Sequence, residues 1–199
     1  MTATSPPGHA LATYRSFRTV IDALPRHLTG QVIRGRLVVL PRPAMPHVKT
    51  AGALGTLLGA PFQFNLGGPG GWWILPEPEL SLGIDPDFDP VVPDLAGWRR
   101  ERVPHLPDTA SCEVGPDWVC EVLSPSTEAD DRGEKMPFYA RAGVDQAWLV
   151  DPAERTLETF RRDGAVFRPS ATWRGGVRVR AAPFEAVELD LARVWPQQG

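Results

Sequence analysis

Residues 117–124, DWVCEVLS, form an apolar run interrupted by Glu121. A carboxylate between apolar neighbours loses its hydration, so Glu121 must be paired, metal-bound or protonated. Asp94 offers a companion. In VVPDLAGW (91–98) it follows another apolar run, behind a proline that fixes an extended entry, which predicts a strand start beside the strand of Glu121. Two carboxylates converging at neighbouring strand ends make a hard-oxygen site suited to Mg²⁺ or Mn²⁺. A lysine would complete a phosphoryl-transfer site: the metal polarises a phosphate and lowers the pKa of a water, while the ammonium orients that water or offsets transition-state charge. Lys135 is the candidate, because Asp131, Lys135 and Tyr139 follow one another at four-residue spacing and share one helix face.

Each of these residues also has a plainer reading. Glu121 could be a structural acid salt-bridged to an arginine. Asp94 taken alone is ordinary Pro-Asp turn chemistry and gains weight only through Glu121. For Lys135 a surface pair with Asp131 stays open beside the site reading. Ser124, Ser126 and Thr127 have no histidine near in sequence and read as a turn and helix-capping segment rather than as nucleophiles.

The elements that must position this set follow from periodicity. Tyr14, Phe17, Val20 or Ile21, and Leu24 recur at helical spacing until Pro25, predicting an amphipathic helix over about 12–24. GQVIRGRLVVLP (30–41) alternates around Gly35 as a tight hairpin does, and 47–59 predicts a second, Gly-containing helix. Strand-like runs GWWILP and ELSLGI lie in the Gly-, Pro- and Asp-rich stretch 61–93. DWVCEVLS is expected as a central strand buried on both faces, followed by a helix over about 131–142 ended by Gly143 and a second buried strand, QAWLVDP. That unit builds parallel or mixed sheets. TLETFRR, AVFRP, VRVRA and AVELDL add short strands.

The chain has 199 residues, enough for one domain; residues 1–11 are expected as a flexible segment and 12–199 as a single domain. A net charge of −3 argues against coating nucleic acid or anionic membrane through bulk positive charge, so any such contact must be local. Two cysteines, Cys112 and Cys120, match neither a redox pair nor a zinc knuckle. No signal-type or membrane-spanning apolar stretch is present, so a soluble, cytoplasmic protein is expected, with no membrane partner.

Three stretches, VVPDLAGWRRERVP (91–104), EVLSPSTEADDRGEKMPFYARAGV (121–144) and AWLVDP (147–152), resemble the Uma-type restriction-endonuclease family of bacteria, a branch of the PD-(D/E)xK nucleases, over roughly residues 12–155. The resemblance implies an α/β, restriction-endonuclease-like fold: a mixed central sheet flanked by helices, with an antiparallel β extension. It implies metal-dependent hydrolysis of phosphodiester bonds in DNA, with Mg²⁺ (or Mn²⁺) held by Asp94, Glu121 and the Val122 carbonyl and with Lys135 as catalytic lysine. The superfamily usually has that lysine two residues after the glutamate, where this chain has Leu123. Gln31 stands where the family commonly has a glutamate; it can coordinate through oxygen but brings no charge. His47 matches a histidine typical of the family, and Glu79 falls where an acidic residue often precedes the Pro-Asp.

Arg99, Arg100 and Arg102 are candidates for a phosphate backbone, as are Arg174, Arg178 and Arg180, provided the fold brings them to the rim of the cleft; a solvated basic loop is the commoner meaning. Trp98, within the first cluster, is the tryptophan expected to stack on a base. Action on a duplex suggests a homodimer. The rival is a catalytically degenerate nuclease fold serving as a binding or assembly module, for which Gln31 is the evidence. A hydrolase of small phosphoesters is the third reading.

Overall fold

The computed structural model describes residues 17–25 and 27–196. A helix at 17–22 (α1) leads into a hairpin of β1 (Leu28–Ile33) and β2 (Arg36–Pro41). Its two turn residues, Arg34 and Gly35, both have positive φ, 51° and 66°, the backbone that matches a tight hairpin to strand twist. α2 (Met45–Leu58) follows and runs on into a π-turn, Gly59–Gln63.

Six further strands make the central sheet: β3 (Trp72–Pro76), β5 (Leu95–Arg99), β7 (Trp118–Val122), β8 (Gln146–Asp151), β9 (Thr156–Asp163) and β10 (Val166–Arg174). Their order is β10-β9-β8-β7-β5-β3. The β7–β8 pair is parallel, and its neighbours pair antiparallel, so the sheet is mixed. The parallel pair is bridged by α3 (128–141), in which a π-turn, Asp131–Lys135, separates Glu128–Asp130 from Met136–Arg141.

Period-two alternation sorts the strand residues into two cores. Trp118, Cys120 and Val122 of β7, with Trp148 and Val150 of β8, face α2 and the C-terminal segment, where Phe184 and Trp195 pack. Val119, Leu123, Ala147 and Leu149 face the other way, onto Phe138 and Tyr139 of α3. Being covered on both faces is why these strands read as continuous apolar runs.

Three expectations need adjustment. ELSLGI forms only the two-residue β4 (Glu79–Leu80), in parallel register with β6 (Ser111–Cys112), because its ladder is that short. The predicted helix at 131–142 begins three residues earlier. Of the tail, β9 and β10 join the central sheet, while β11 (Arg178–Val179) and β12 (Leu189–Asp190) make a separate ladder. The expectation for residues 1–11 lies outside the described residues. Among those described, no helix is long and apolar enough to cross a membrane.

Gly97 in β5 sits closely packed in the first core: a Cβ there would meet Ile74 Cδ1 at 3.2 Å, Trp118 Cε3 at 3.2 Å and Trp72 Cε3 at 3.3 Å. Gly97→Ala is therefore expected to lower unfolding free energy by about 1–3 kcal/mol through overpacking; an unchanged urea midpoint would mean that the rings move aside freely.

Candidate active site

The β5–β7 ladder ends at the pair Leu95–Cys120, one position short of Asp94 and Glu121. Beyond it the strands part and side chains replace peptide groups. Val122 N–H donates to Asp94 Oδ2 at 2.6 Å, and Asp94 N–H lies 3.4 Å from Glu121 Oε2. Alternation turns Glu121 toward α3, where it is 1% exposed. From α3, Lys135 Nζ approaches Glu121 Oε1 to 2.8 Å and Asp131 Oδ1 to 3.2 Å, and donates to the Val92 carbonyl at 3.0 Å. Tyr139 O–H donates to Glu121 Oε1 at 2.7 Å. The helix-face spacing thus delivers Lys135 and Tyr139 to one carboxylate and Asp131 to the lysine. Lys135 is 3% exposed, which removes the surface-pair reading.

A cleft of about 420 Å³ opens over this cluster. His47, in the first turn of α2, contributes Nε2 at 3.2 Å from Asp94 Oδ2, while its Nδ1 is buried without a partner. Gln31 lines the cleft from β1, 6% exposed, with Oε1 accepting from Val92 N–H at 3.2 Å. The Ser124–Thr127 turn closes one end, its hydroxyls bonded to one another. The hairpin forms a wall that is pinned to α3 by Arg34–Glu134 at 3.0 Å and Arg36–Asp130 at 3.7 Å.

Burial dominates the electrostatics. It pushes the Glu121 carboxyl up to about 8, against the pull of Lys135, and raises Asp131 for the same reason. For Lys135 burial opposes the charge, but Glu121, Asp131 and Asp94 outweigh it and hold the ammonium charged, above its ordinary value. His47 is likewise disfavoured as an imidazolium by burial, yet its bond to Asp94 and that residue's charge keep it above its ordinary value.

These residues fit a hard divalent cation. Glu121 and Asp131 share the one buried ammonium of Lys135, while Asp94 pairs with His47, so ionising all three acids leaves a surplus of negative charge that a divalent ion would neutralise. Glu121 Oε2 is committed only to the 3.4 Å contact. The N–H and C=O of one strand residue face the same edge, so the Val122 carbonyl, like its N–H, points toward Asp94. Among the described residues no group of three or more His, Cys, Asp or Glu side chains is arranged as a metal cage.

Other candidates from the sequence lie elsewhere. Glu79 is ion-paired to Arg18 and is not among the residues lining the cleft. Arg99, Arg100 and Arg102 sit at the end of β5 opposite Asp94, roughly 13 Å or more along the strand. Arg100 lies 3.8 Å over the Trp73 ring and Arg102 pairs with Asp117 at 2.9 Å, while Arg99 covers Trp72 and lines a separate polar cavity. Arg174 and Arg178 are engaged by Glu154 and Glu188, and Arg180 by the Glu185 carbonyl. Trp98 does not stack outward: it is fully buried, with Nε1–H donating to the Val114 carbonyl at 2.8 Å, because alternation turns it toward the α3 side. Sequence reasoning missed Glu77 and Arg42, both of which line the cleft. Glu77 has φ 45° and donates its N–H to the Asp94 carbonyl, a turn that the neighbouring prolines announce without fixing its direction.

This mixed sheet has a counterpart among solved structures. The structure matches that of a "putative nuclease belonging to DUF820" from Anabaena variabilis ATCC 29413 with a TM-score of 0.68, at 16% identity, over 89% of this chain and 96% of that one. The model of the Uma2 family, described as "Putative restriction endonuclease", matches residues 22–192. The chain belongs to the Uma2 family. No curated protein matches it.

The buried charges carry a stability signature. Glu121 titrates near 8 when folded and near an ordinary carboxylate value when unfolded, so its contribution to stability is full in acid and is lost as pH rises toward 8. Removing the ammonium raises that folded value further. Lys135→Met should therefore cost about 3–5 kcal/mol in alkali and distinctly less at about pH 5, where Glu121 is protonated with or without the lysine. Denaturant titrations at the two pH values check this, and a cost independent of pH would contradict it.

Proposed function

We propose that the protein is an Mg²⁺- or Mn²⁺-dependent endonuclease that hydrolyses phosphodiester bonds in DNA. The observation that carries this reading is the convergence of Asp94 and Glu121 on a buried Lys135 within an open cleft. Membership of the Uma2 family supports it. In this reading Asp94, Glu121 and the Val122 carbonyl hold the metal. Bound there, the metal would act as a Lewis acid toward the scissile phosphate and lower the pKa of a coordinated water.

The protein's own groups do the rest. Lys135, kept charged by its acidic neighbours, holds a water in line with the phosphate and offsets developing negative charge. Tyr139 fixes the orientation of Glu121 through its 2.7 Å bond, and His47 fixes Asp94, so both carboxylates are set before a substrate arrives. Asp131 holds the lysine from its other side. Gln31 supplies an oxygen without charge, which limits the site to one tightly held metal. Nicking one strand needs one cleft; cutting both strands of a duplex would call for a second copy, the homodimer expected from the sequence.

Supercoiled plasmid incubated with Mg²⁺ or Mn²⁺ is expected to be nicked by the wild type and at least about 100-fold more slowly by Glu121→Ala. Lys135→Ala should lose comparable activity at a temperature where it remains folded by circular dichroism. A wild type no faster than Glu121→Ala with either metal, yet still retaining DNA, would favour the degenerate binding module. Gln31→Glu adds a carboxylate to the cleft and should tighten Mn²⁺ binding by calorimetry; no change in affinity would exclude Gln31 from the metal's surroundings.

A further inference from the structure

Beside the acidic cleft runs a second concavity of about 570 Å³, between α2 and the edge strand β3. The two share Pro43, His47, Glu77 and Asp94, so the groove opens directly onto the carboxylates. Its chemistry differs from the cleft's. Gly52 and Gly55 leave the flank of α2 without bulk, and Phe64 and Leu66 stand along the groove 63% and 68% exposed. No lysine or arginine lines it.

A nucleic-acid backbone carries a charge at every nucleotide and is held by cations. A groove without lysine or arginine, lined largely by apolar groups and flanked by an exposed aromatic ring, is matched instead to an uncharged π-face. In a duplex those faces are hidden by stacking and pairing, so only an unpaired base can enter. The cleft argues the same way: among the described residues Arg42 and Lys135 are its only Lys or Arg side chains, and Lys135 is buried, far short of the row of phosphate contacts by which a duplex is held. We infer that the groove between α2 and β3 receives the base of an unpaired nucleotide adjoining the phosphate in the cleft, so that the substrate is single-stranded or locally unpaired nucleic acid. This rests on the reading of the cleft as a phosphodiester site.

Gly52 allows a clean test. A Cβ there meets nothing within 4 Å, so Gly52→Phe fills the groove without a backbone clash and replaces a helix-interior glycine with a better helix former. Phe64→Ala removes the exposed ring. Binding of a labelled oligothymidylate, and of the same strand in a duplex, is measured by fluorescence anisotropy with Ca²⁺ present, alongside cleavage of both with Mg²⁺. The wild type should bind the single strand more tightly than the duplex, and each variant should weaken that binding about tenfold or more with no fall in melting temperature.

Equal or tighter duplex binding, no measurable binding of either, or variants indistinguishable from wild type would each overturn the inference. So would a wild-type dimer in sedimentation that Gly52→Phe dissociates, since a second copy would then occupy the groove. Groove-dependent single-strand binding without cleavage under any metal would sink the catalytic reading and leave this one standing. Cleavage of duplex with no preference for the single strand would do the reverse.

Discussion

Glu121 is the constraint around which the rest is arranged. It lies in a strand flanked by β5 and β8 and packed on both faces, so its carboxylate meets solvent only through the cleft. Most of the compensation comes from the helix that crosses its face. α3 supplies Lys135, Asp131 and Tyr139, and the π-turn that adds a residue between Asp131 and Met136 keeps the acid and the lysine turned to the sheet together. A buried ion pair is poor value as a source of stability, because apolar groups of similar volume usually do as well. Its presence in the centre of a sheet, with carboxylates outnumbering the ammonium, is what the proposed active site would require.

The parting of β5 and β7 is the second half of the arrangement. At Asp94 the ladder could have continued for another pair; instead the Asp94 carboxylate takes the Val122 N–H that a peptide carbonyl would otherwise have taken. The same substitution brings the Asp94 N–H to Glu121 and frees the strand ends to open into a cleft. Asp94 is therefore both a strand terminator and a site residue, which is why its local sequence reads equally well as a turn.

What could be read from sequence was what depends on short-range periodicity. Alternation marked Glu121 as the odd residue of a buried strand, and four-residue spacing grouped Asp131, Lys135 and Tyr139, because both signals lie within single elements. The hairpin at Gly35 was legible for the same reason. The π-turn left no mark, since it depends on what α3 must reach. Glu79 is marked by the family resemblance alone, whereas Glu77, at the positive-φ turn two residues earlier, is the acid that lines the cleft. Trp98 could have been placed correctly: it shares its parity along β5 with Ala96, and both belong to the core on the α3 side. Where the arginines after it fall could not be read, because strand length, not strand composition, carries them to the far end of the sheet.

The hairpin wall is tied to its two neighbours by different physics. Toward the segment before β5 it is fastened by main-chain bonds, Val32 N–H to the Pro90 carbonyl at 2.8 Å and Gly35 N–H to that of Asp87 at 3.0 Å. Toward α3 it is fastened by Arg34 and Arg36, whose side chains are 65% and 66% exposed. Pairs of that kind are screened by salt, whereas the peptide bonds are not. Dissolved ions therefore loosen one fastening of the wall and leave the other untouched, while the sheet beneath keeps its form.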